Sequence, residues 1–208
     1  MSVGQGRNID IVDLFKPIIS ITGLVVVWYA LVEAGMVGEL PGPNPVAAAA
    51  VELIPNPEVH SSIIASFRHI YIPYILAVII GVPLGIAIGW NQTFNDLVFP
   101  SLEILRPVPP IAWLPIVILV LPTTVQGIMF ITFLGAFFPI ILNTVSGVRS
   151  VNEDYIKAVR CLGGTRSQVL REVVVPAALP SIHTGLIVGM GLAWINLVAA
   201  EMIAFLHQ

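Results

Sequence analysis

The sequence predicts an all-α membrane protein built as a bundle of about five transmembrane helices. Of its 208 residues, 57% are hydrophobic and only 10% are charged, and the mean hydropathy is +0.95. A water-soluble domain has about 25% charged residues, so most of the outer surface of this chain is expected to face lipid. The long uncharged stretches lack the alternation of apolar and polar residues that membrane β-barrels require. A helical bundle is therefore the predicted fold class.

Stretches free of charged side chains mark the predicted membrane spans. The longest lies between Arg106 and Arg149 and contains 42 residues. As α-helix it would be about 63 Å long, enough for two spans, so a turn is expected at 121–124, which includes Pro122. The first span follows a polar tail over 1–16 without a cleavable signal-peptide pattern, and is expected to be retained. The five predicted spans are about 17–36, 69–90, 98–121, 125–147 and 180–204.

Lysine and arginine residues predict the orientation, because cytoplasmic loops of membrane proteins carry an excess of them. Arg7 and Lys16 precede the first span. The loop 149–172 contains five lysines and arginines, whereas the loop 37–67 contains none. The N-terminus and the 149–172 loop are therefore predicted to be cytoplasmic, and Arg68 is expected at the outer end of the second span.

The predicted outer loop contains five prolines, at positions 41, 43, 45, 55 and 57. Between them lies VAAAAVELI (46–54), and alanine has the highest helix propensity of all residues. Two interpretations fit this segment: a short helix at the outer membrane interface, or a plain connector with one helical turn.

Glycines recur at every fourth residue in two of the predicted spans. Small residues at this spacing let helices approach closely in lipid, where packing drives helix association. The sequence therefore predicts a bundle, with close helix contacts at Gly81, Gly85, Gly89, Gly185 and Gly189.

The segment LRPVPPIAWLP (105–115) contains four prolines at the start of the third span. Proline removes a backbone donor and disfavours helix in the residue before it. The segment fits either an unwound part of a path through the membrane or an elbow before the span. Candidate path residues are Arg106, Pro109, Pro110, Trp113 and Asn143, although Arg106 could instead pair with Glu103.

The loop 149–176 begins with the pattern of a short amphipathic helix. Ser150 and Glu153 have capping-box spacing, and Asn152 is an alternative N-cap. Two glycines, Gly163 and Gly164, are expected to end this helix. Its apolar residues recur at helical spacing and form a stripe of Tyr155, Ile156, Val159 and Leu162.

A second short helix is predicted directly after the first. Thr165 and Gln168 repeat the capping-box spacing, Pro176 is expected to end the helix, and Pro180 suits the first turn of the fifth span. A solvated loop would not need the apolar stripe, so the two helices are interpreted as a docking element rather than a passive connection.

This loop resembles the signature of permease subunits of bacterial ABC importers. That signature reads Glu-Ala-Ala, three residues, Gly, nine residues, then Ile-x-Leu-Pro. Here the corresponding residues are Lys157, Ala158 and Val159, then Gly163, and a final VVVP (173–176) with every spacing preserved. The segments LRPVPPIAWLPI, FITFLGAFFPIILNTVSGV and VVVPAALPSIHTGL resemble the subgroup that imports nitrate, bicarbonate, sulfonates and taurine.

The resemblance implies partners and a role for each part of the chain. Residues 17–208 would be the permease domain in a bacterial plasma (inner) membrane. It would form the pathway with a second permease copy, receive cargo from a periplasmic or lipid-anchored solute-binding protein, and bind ABC ATP-binding subunits that hold ATP and Mg²⁺. The loop would be the coupling helix for those subunits, through Tyr155, Ile156, Lys157, Ala158, Arg160, Gly163, Gly164, Arg166, Val169 and Pro176.

Two features depart from the resembled family. Lys157 occupies the position of the signature glutamate. The resemblance also implies six spans with both termini inside, whereas five spans would leave Gln208 outside, so a missing sixth span is expected. The alternative function is therefore a truncated, transport-inactive permease remnant or scaffold.

Other classes of function find little support in the sequence. It contains no G-x-x-x-x-G-K-[ST] phosphate loop, so no nucleotide cofactor is expected on this chain, and a net charge of −3 gives no indication of nucleic-acid binding. The single cysteine, Cys161, rules out an internal disulfide, and no metal site is predicted. His183 and Glu201 would lie about 27 Å apart along one helix, too far for joint catalysis.

Overall fold

The computed structural model describes residues 11–38 and 40–205, and this part of the chain is helical with no β-strand. Side chains are described for 16–38 and 40–203; most of the predicted N-terminal tail, and Gln208, lie outside the described residues. A 3₁₀ turn (Pro110–Trp113) precedes α5, and a π-helical segment (Val169–Val174) joins α8 to α9. The α-helices are α1 (Ile11–Glu33), α2 (Pro43–Leu53), α3 (Pro57–Trp90), α4 (Gln92–Leu105), α5 (Leu114–Val120), α6 (Thr124–Arg149), α7 (Glu153–Cys161), α8 (Arg166–Gln168) and α9 (Val175–Phe205).

The predicted fold class, an all-α bundle with about five spans, is confirmed. Four described helical stretches are long and apolar enough to cross a membrane: Lys16–Glu33, Pro57–Trp90, Thr124–Arg149 and Arg166–Ile203. A fifth results if α4 and the stretch Pro110–Val120, which are bent by 82°, count as one. The bend falls where Pro107 and Pro109 remove backbone donors. The helix α3 also begins twelve residues before the predicted start of the second span, at 57 rather than 69.

The chain divides into two compact units, residues 1–63 and 64–208. In the first unit, α1 ends in a turn in which Gly35 and Gly38 have φ of 67° and 61°, values that favour glycine. The segment VAAAAVELI lies mostly within α2, which has no buried residue. Of the two interpretations of this segment, the structure shows the short helix.

In the second unit, α3 packs against α6 along its row of glycines. An added Cβ at Gly85 would lie 2.7 Å from Thr144 Cβ, and one at Gly89 would lie 2.7 Å from Val148 Cβ. At Gly81 the nearest atom would be a side-chain carbon of α6 at 3.1 Å. All three glycines therefore face α6, and the two backbones approach too closely for larger residues at 85 and 89.

The helix α9 packs on another side of α6 by the same means. An added Cβ at Gly185 would lie 2.8 Å from Asn143 Cβ, and one at Gly189 would lie 2.9 Å from Ile140 Cγ1. The helix α6 also contributes a glycine to this contact, because Gly135 lies against the side-chain amide of Asn196 in α9. With α3 and α9 packed on it, α6 is the central helix of this unit.

Buried polar side chains in the spans bond to their own helix. The hydroxyls of Thr132 and Thr144 donate to the carbonyl four residues earlier, at 2.8 and 2.7 Å. The amide of Asn196 does the same at 2.8 Å. Since lipid offers no hydrogen-bond partner, these local bonds let polar residues occupy the core without an unsatisfied donor.

Candidate functional site: a docking helix and a basic groove

The helix α7 begins at an asparagine cap. Asn152 Oδ1 accepts a hydrogen bond from the backbone N–H of Asp154 at 2.9 Å, so Asn152 is the N-cap rather than Ser150. The hydroxyl of Ser150 instead donates to the carbonyl of Gly147. Glu153 and Asp154 occupy the first turn, where negative charge stabilises the helix through its dipole.

Two glycines end α7 in a Schellman motif. The N–H of Gly164 donates to the carbonyl of Val159 at 2.9 Å, and the N–H of Gly163 donates to the carbonyl of Arg160 at 3.0 Å. This arrangement requires a left-handed residue, and Gly163 has φ of +83°. Gly164 allows a close approach, since an added Cβ would lie 2.8 Å from the carbonyl oxygen of Val159. The predicted helix end is therefore present at these residues.

The predicted apolar stripe of α7 is divided between two faces. Ile156 and Val159 are half-buried and pack against a cluster formed by α6, the π segment and α9. Tyr155 and Leu162 are 63% and 88% exposed, and Ala158 is also exposed between them. The exposed face is thus apolar at spacings of three and four residues, with polar neighbours at Lys157, Arg160 and Cys161.

A capping box starts α8, as the sequence predicted. The hydroxyl of Thr165 accepts from the N–H of Gln168 at 3.3 Å, and the side chain of Gln168 accepts from the N–H of Thr165 at 2.8 Å. The guanidinium of Arg166 lies 5.7 Å from the ring centroid of Trp90 at the end of α3. The contact between Arg166 and Trp90 attaches the second half of the loop to α3.

The prediction that Pro176 ends the second short helix was wrong. The chain continues as helix through the π segment into α9, so Pro176 is the second residue of α9 and Pro180 lies inside it. In a regular α-helix, the ring of a proline clashes with the carbonyl four residues earlier. Here the preceding turn is wider, and the N–H of Val175 donates to Leu170, five residues back. Val169 is fully buried within this turn.

Two adjoining cavities lie beside α6 and share the residues Arg106, Leu142 and Asn143. The first has a volume of about 610 Å³ and extends to Arg149 at the end of α6. The second has a volume of about 350 Å³ and extends to Asn196 of α9. Together they form one groove, here called the basic groove.

The candidate path residues divide into those that line the basic groove and those that do not. Arg106, Pro110 and Asn143 line it. Pro109 is exposed outside it, and Trp113 is half-buried against the hydrophobic core. The break between α4 and α5 thus borders the groove through Arg106, Val108 and Pro110.

The two arginines of the basic groove have no acidic partner among the described residues. Arg149 donates to Oδ1 of Asn95, and its guanidinium lies 4.7 Å from the ring centroid of Phe99. Arg106 makes no ion pair in the described part of the chain, and the expected pairing with Glu103 is absent there. Sequence reasoning missed Arg149 as a groove residue because it is 43 positions from Arg106.

A small polar cluster joins α3 to α9 near the end of α9. His69 Nδ1 lies 3.3 Å from Glu201 Oε1, and the hydroxyl of Ser66 donates to the same oxygen at 3.5 Å. His183 is exposed and distant in sequence from this cluster. Within the described residues, no group of three histidine, cysteine or acidic side chains is placed to hold a metal ion.

Comparison with known proteins identifies the family. Residues 81–205 match the model of the binding-protein-dependent transport system inner membrane component. The chain is 35% identical to a nitrate import permease of Synechocystis sp. over 91% of its length and 72% of the relative. It is 33% identical to a bicarbonate transport permease of Synechococcus elongatus over 91% and 72%, and 40% identical to a taurine transport permease of Escherichia coli over 67% and 51%.

These relatives are longer than the chain, which spans 51–72% of their length. The family model covers more than half of the chain, and it includes α6, the loop with α7 and α8, and all of α9. On these matches, the chain belongs to the binding-protein-dependent inner membrane components, the permeases of ABC transporters.

Proposed function

We propose that this chain is the membrane-spanning permease subunit of an ATP-driven ABC importer. Its cargo is a small anion such as nitrate, bicarbonate or an alkanesulfonate like taurine. The names of three relatives support this cargo class. The observation that carries the proposal is α7, a capped helix with one face packed on the spans and the other face exposed and apolar.

The exposed face of α7 is the docking surface for an ATP-binding subunit. Removing a leucine side chain from water contributes about 1.5–3 kcal/mol, so Leu162 and Tyr155 supply much of the binding energy. Lys157 is held by Glu153 at 3.0 Å in an exposed pair, which contributes little by itself. The sequence lacks a phosphate loop, and ATP with Mg²⁺ therefore binds on the partner subunit.

The orientation follows from the positive charges. Since the loop that includes α7 and α8 is rich in lysine and arginine, it and the N-terminus are cytoplasmic in a bacterial inner membrane. A solute-binding protein, periplasmic or anchored to lipid, delivers cargo on the other side. A second permease copy completes the path.

Coupling runs from α7 through the π segment into α9. ATP changes the conformation of the importer only if it binds two conformations with different affinity. Movement of the docked α7 passes to the buried residues of the π segment, and from there to α9, which packs closely on α6. The helices α6 and α9 therefore hold the docking element and also border the path.

The test is reconstitution with the ATP-binding subunit and the solute-binding protein. We expect ATP-dependent uptake of one of three labelled probes, nitrate, bicarbonate or taurine, into vesicles. Leu162→Ser is expected to weaken capture of the ATP-binding subunit, whereas Leu179→Ser, at an exposed apolar position of α9, leaves capture intact. Absence of uptake from a correctly assembled complex would contradict the transport function and leave a scaffold as the alternative.

A further inference from the structure

We infer that the basic groove contains a binding station for the transported anion, formed by Arg106, Asn143, Ser146 and Arg149. The inference rests on the proposed import of a small anion, and it names the residues that hold this anion on its way to the cytoplasm. The sequence singles out neither Ser146 nor Arg149 as a path residue, and only the fold brings them beside the same cavity as Arg106.

The electrostatics of the groove favour an anion. Its first cavity is lined by two arginines and by polar or apolar side chains, with no acidic residue among them. Arg149 is oriented by the amide of Asn95 and an aromatic ring and makes no direct ion pair in the described residues, although the same amide donates to the carboxylate of Asp96 at 3.0 Å. Arg106 has no ion-pair partner in the described residues. Two arginines that make no ion pair with any described residue, placed beside one cavity, produce a positive potential that an anion lowers.

The hydrogen-bonding groups of the groove suit a small oxyanion. Guanidinium groups bind planar or tetrahedral oxyanions through two parallel N–H bonds. The amide of Asn143 donates one N–H to the carbonyl of Pro139 at 2.8 Å, so its second N–H is left for a ligand. Ser146 lies three residues further along α6, on the same face, and its hydroxyl has no partner in the described part of the chain.

The position of the groove fits a passage. Its second cavity reaches Gly135, near the middle of α6, and its first cavity reaches Arg149 at the end of α6. These positions are 14 residues apart, or about 21 Å along a helix. An anion that enters near Gly135 and Asn196 would therefore meet Asn143 and Arg106 before it reaches Arg149, beside the loop that couples to ATP.

The first experiment measures uptake by the complete importer, using whichever of nitrate, bicarbonate and taurine the unmodified complex transports. Arg106→Gln is expected to reduce uptake about tenfold or more, because a lost charge-assisted hydrogen bond has an effect of that size. ATP hydrolysis stimulated by the loaded binding protein is retained, and Arg106→Lys restores part of the uptake. Arg68→Gln, an exposed arginine outside the groove, is the control and stays within about twofold of the unmodified complex.

The second experiment probes the groove without transport. The variant Ser146→Cys is made in a Cys161→Ser background and is modified by a negatively charged and by a positively charged methanethiosulfonate reagent. The measured quantity is the rate ratio, the rate with the anionic reagent divided by the rate with the cationic reagent. We expect the anionic reagent to react faster, and Arg106→Gln to lower the ratio about threefold or more. Arg149→Gln is expected to lower it as well, whereas Arg68→Gln leaves it unchanged.

The two experiments separate the two proposals. If the unmodified complex transports none of the three probes but the rate ratio responds to Arg106→Gln, the proposed function fails, whereas the attraction of the groove for anions is supported. If uptake occurs and Arg106→Gln changes neither uptake nor the rate ratio, the station is refuted and the importer stands. An equal loss of uptake in Arg68→Gln and Arg106→Gln would also overturn the station.

Discussion

The close packing of α9 on α6 predicts that two glycines of α9 respond oppositely to the same substitution. At Gly185 an added Cβ would lie 2.8 Å from Asn143 Cβ and 3.2 Å from the carbonyl oxygen of Pro139. Carbon atoms prefer separations of about 3.5–4.0 Å, so the helices must move apart by several tenths of an ångström. At Gly191 no atom lies within 4 Å of an added Cβ.

The magnitude follows from the difference between the two variants. Each Gly→Ala change stabilises the helix by about 1 kcal/mol through the higher helix propensity of alanine. This gain is the same in both variants and cancels when they are compared. The remaining difference is the cost of overpacking at 185, about 1–3 kcal/mol. For a chain of this size, about 2–4 °C of Tm corresponds to each kcal/mol. Gly185→Ala should therefore unfold several degrees below Gly191→Ala.

The assay is thermal unfolding of the purified chain in one detergent, with both variants and the unmodified protein measured side by side. Gly191→Ala is expected at or slightly above the unmodified Tm. If Gly185→Ala and Gly191→Ala unfold at the same temperature, the close approach of α9 to α6 is not the constraint that the distances imply. A lower Tm for Gly191→Ala would contradict the reasoning directly.

Three further predictions concern the loop. Gly163→Ala places an L-residue at φ of +83°, which costs about 1–2 kcal/mol. It should therefore reduce capture of the ATP-binding subunit in a pull-down, and Gly163→Pro should abolish capture while membrane insertion persists. Val159→Ala should lower the Tm because Val159 anchors α7, whereas Leu162→Ser should leave the Tm unchanged and weaken capture; equal effects on both readouts would refute the two-face description. Thr165→Ala removes the α8 cap, which costs about 1 kcal/mol, and should increase hydrogen exchange over 165–170; unchanged exchange would show that the cap does not hold this turn.

Features with a local cause could be predicted from the sequence. The glycine pair at 163 and 164 ends α7 because only glycine readily adopts the left-handed conformation required there. The capping box of Thr165 and Gln168 involves residues three apart, so its spacing is visible in the sequence. The turn at 121–124 separates α5 from α6, as the proline and the two threonines predicted.

Features that depend on tertiary packing could not be predicted. Tyr155 and Ile156 belong to one apolar stripe in sequence, yet only Ile156 faces the spans, because the location of the hydrophobic cluster decides which part of the stripe is buried. Arg149 was interpreted as one positive charge of a cytoplasmic loop, whereas the fold brings it beside the same cavity as Arg106. The bend between α4 and α5 was visible only as a run of prolines, without its angle of 82°.

The π segment also affects how the sequence of α9 is compared with those of its relatives. Its buried residues Val169 and Val174 are five positions apart, whereas the buried residues that follow along α9, such as Ala178 and Ile182, are three or four apart. One added residue in a turn shifts the angular phase of a helix by about 100°. A homologue that has a plain α-helical turn here would need one residue fewer to keep the same face of α9 against α6. In an alignment of this family, a single-residue gap within 169–174 would therefore mark the replacement of the π-helical turn by an α-helical turn. It would not mark the loss of a contact between α9 and α6.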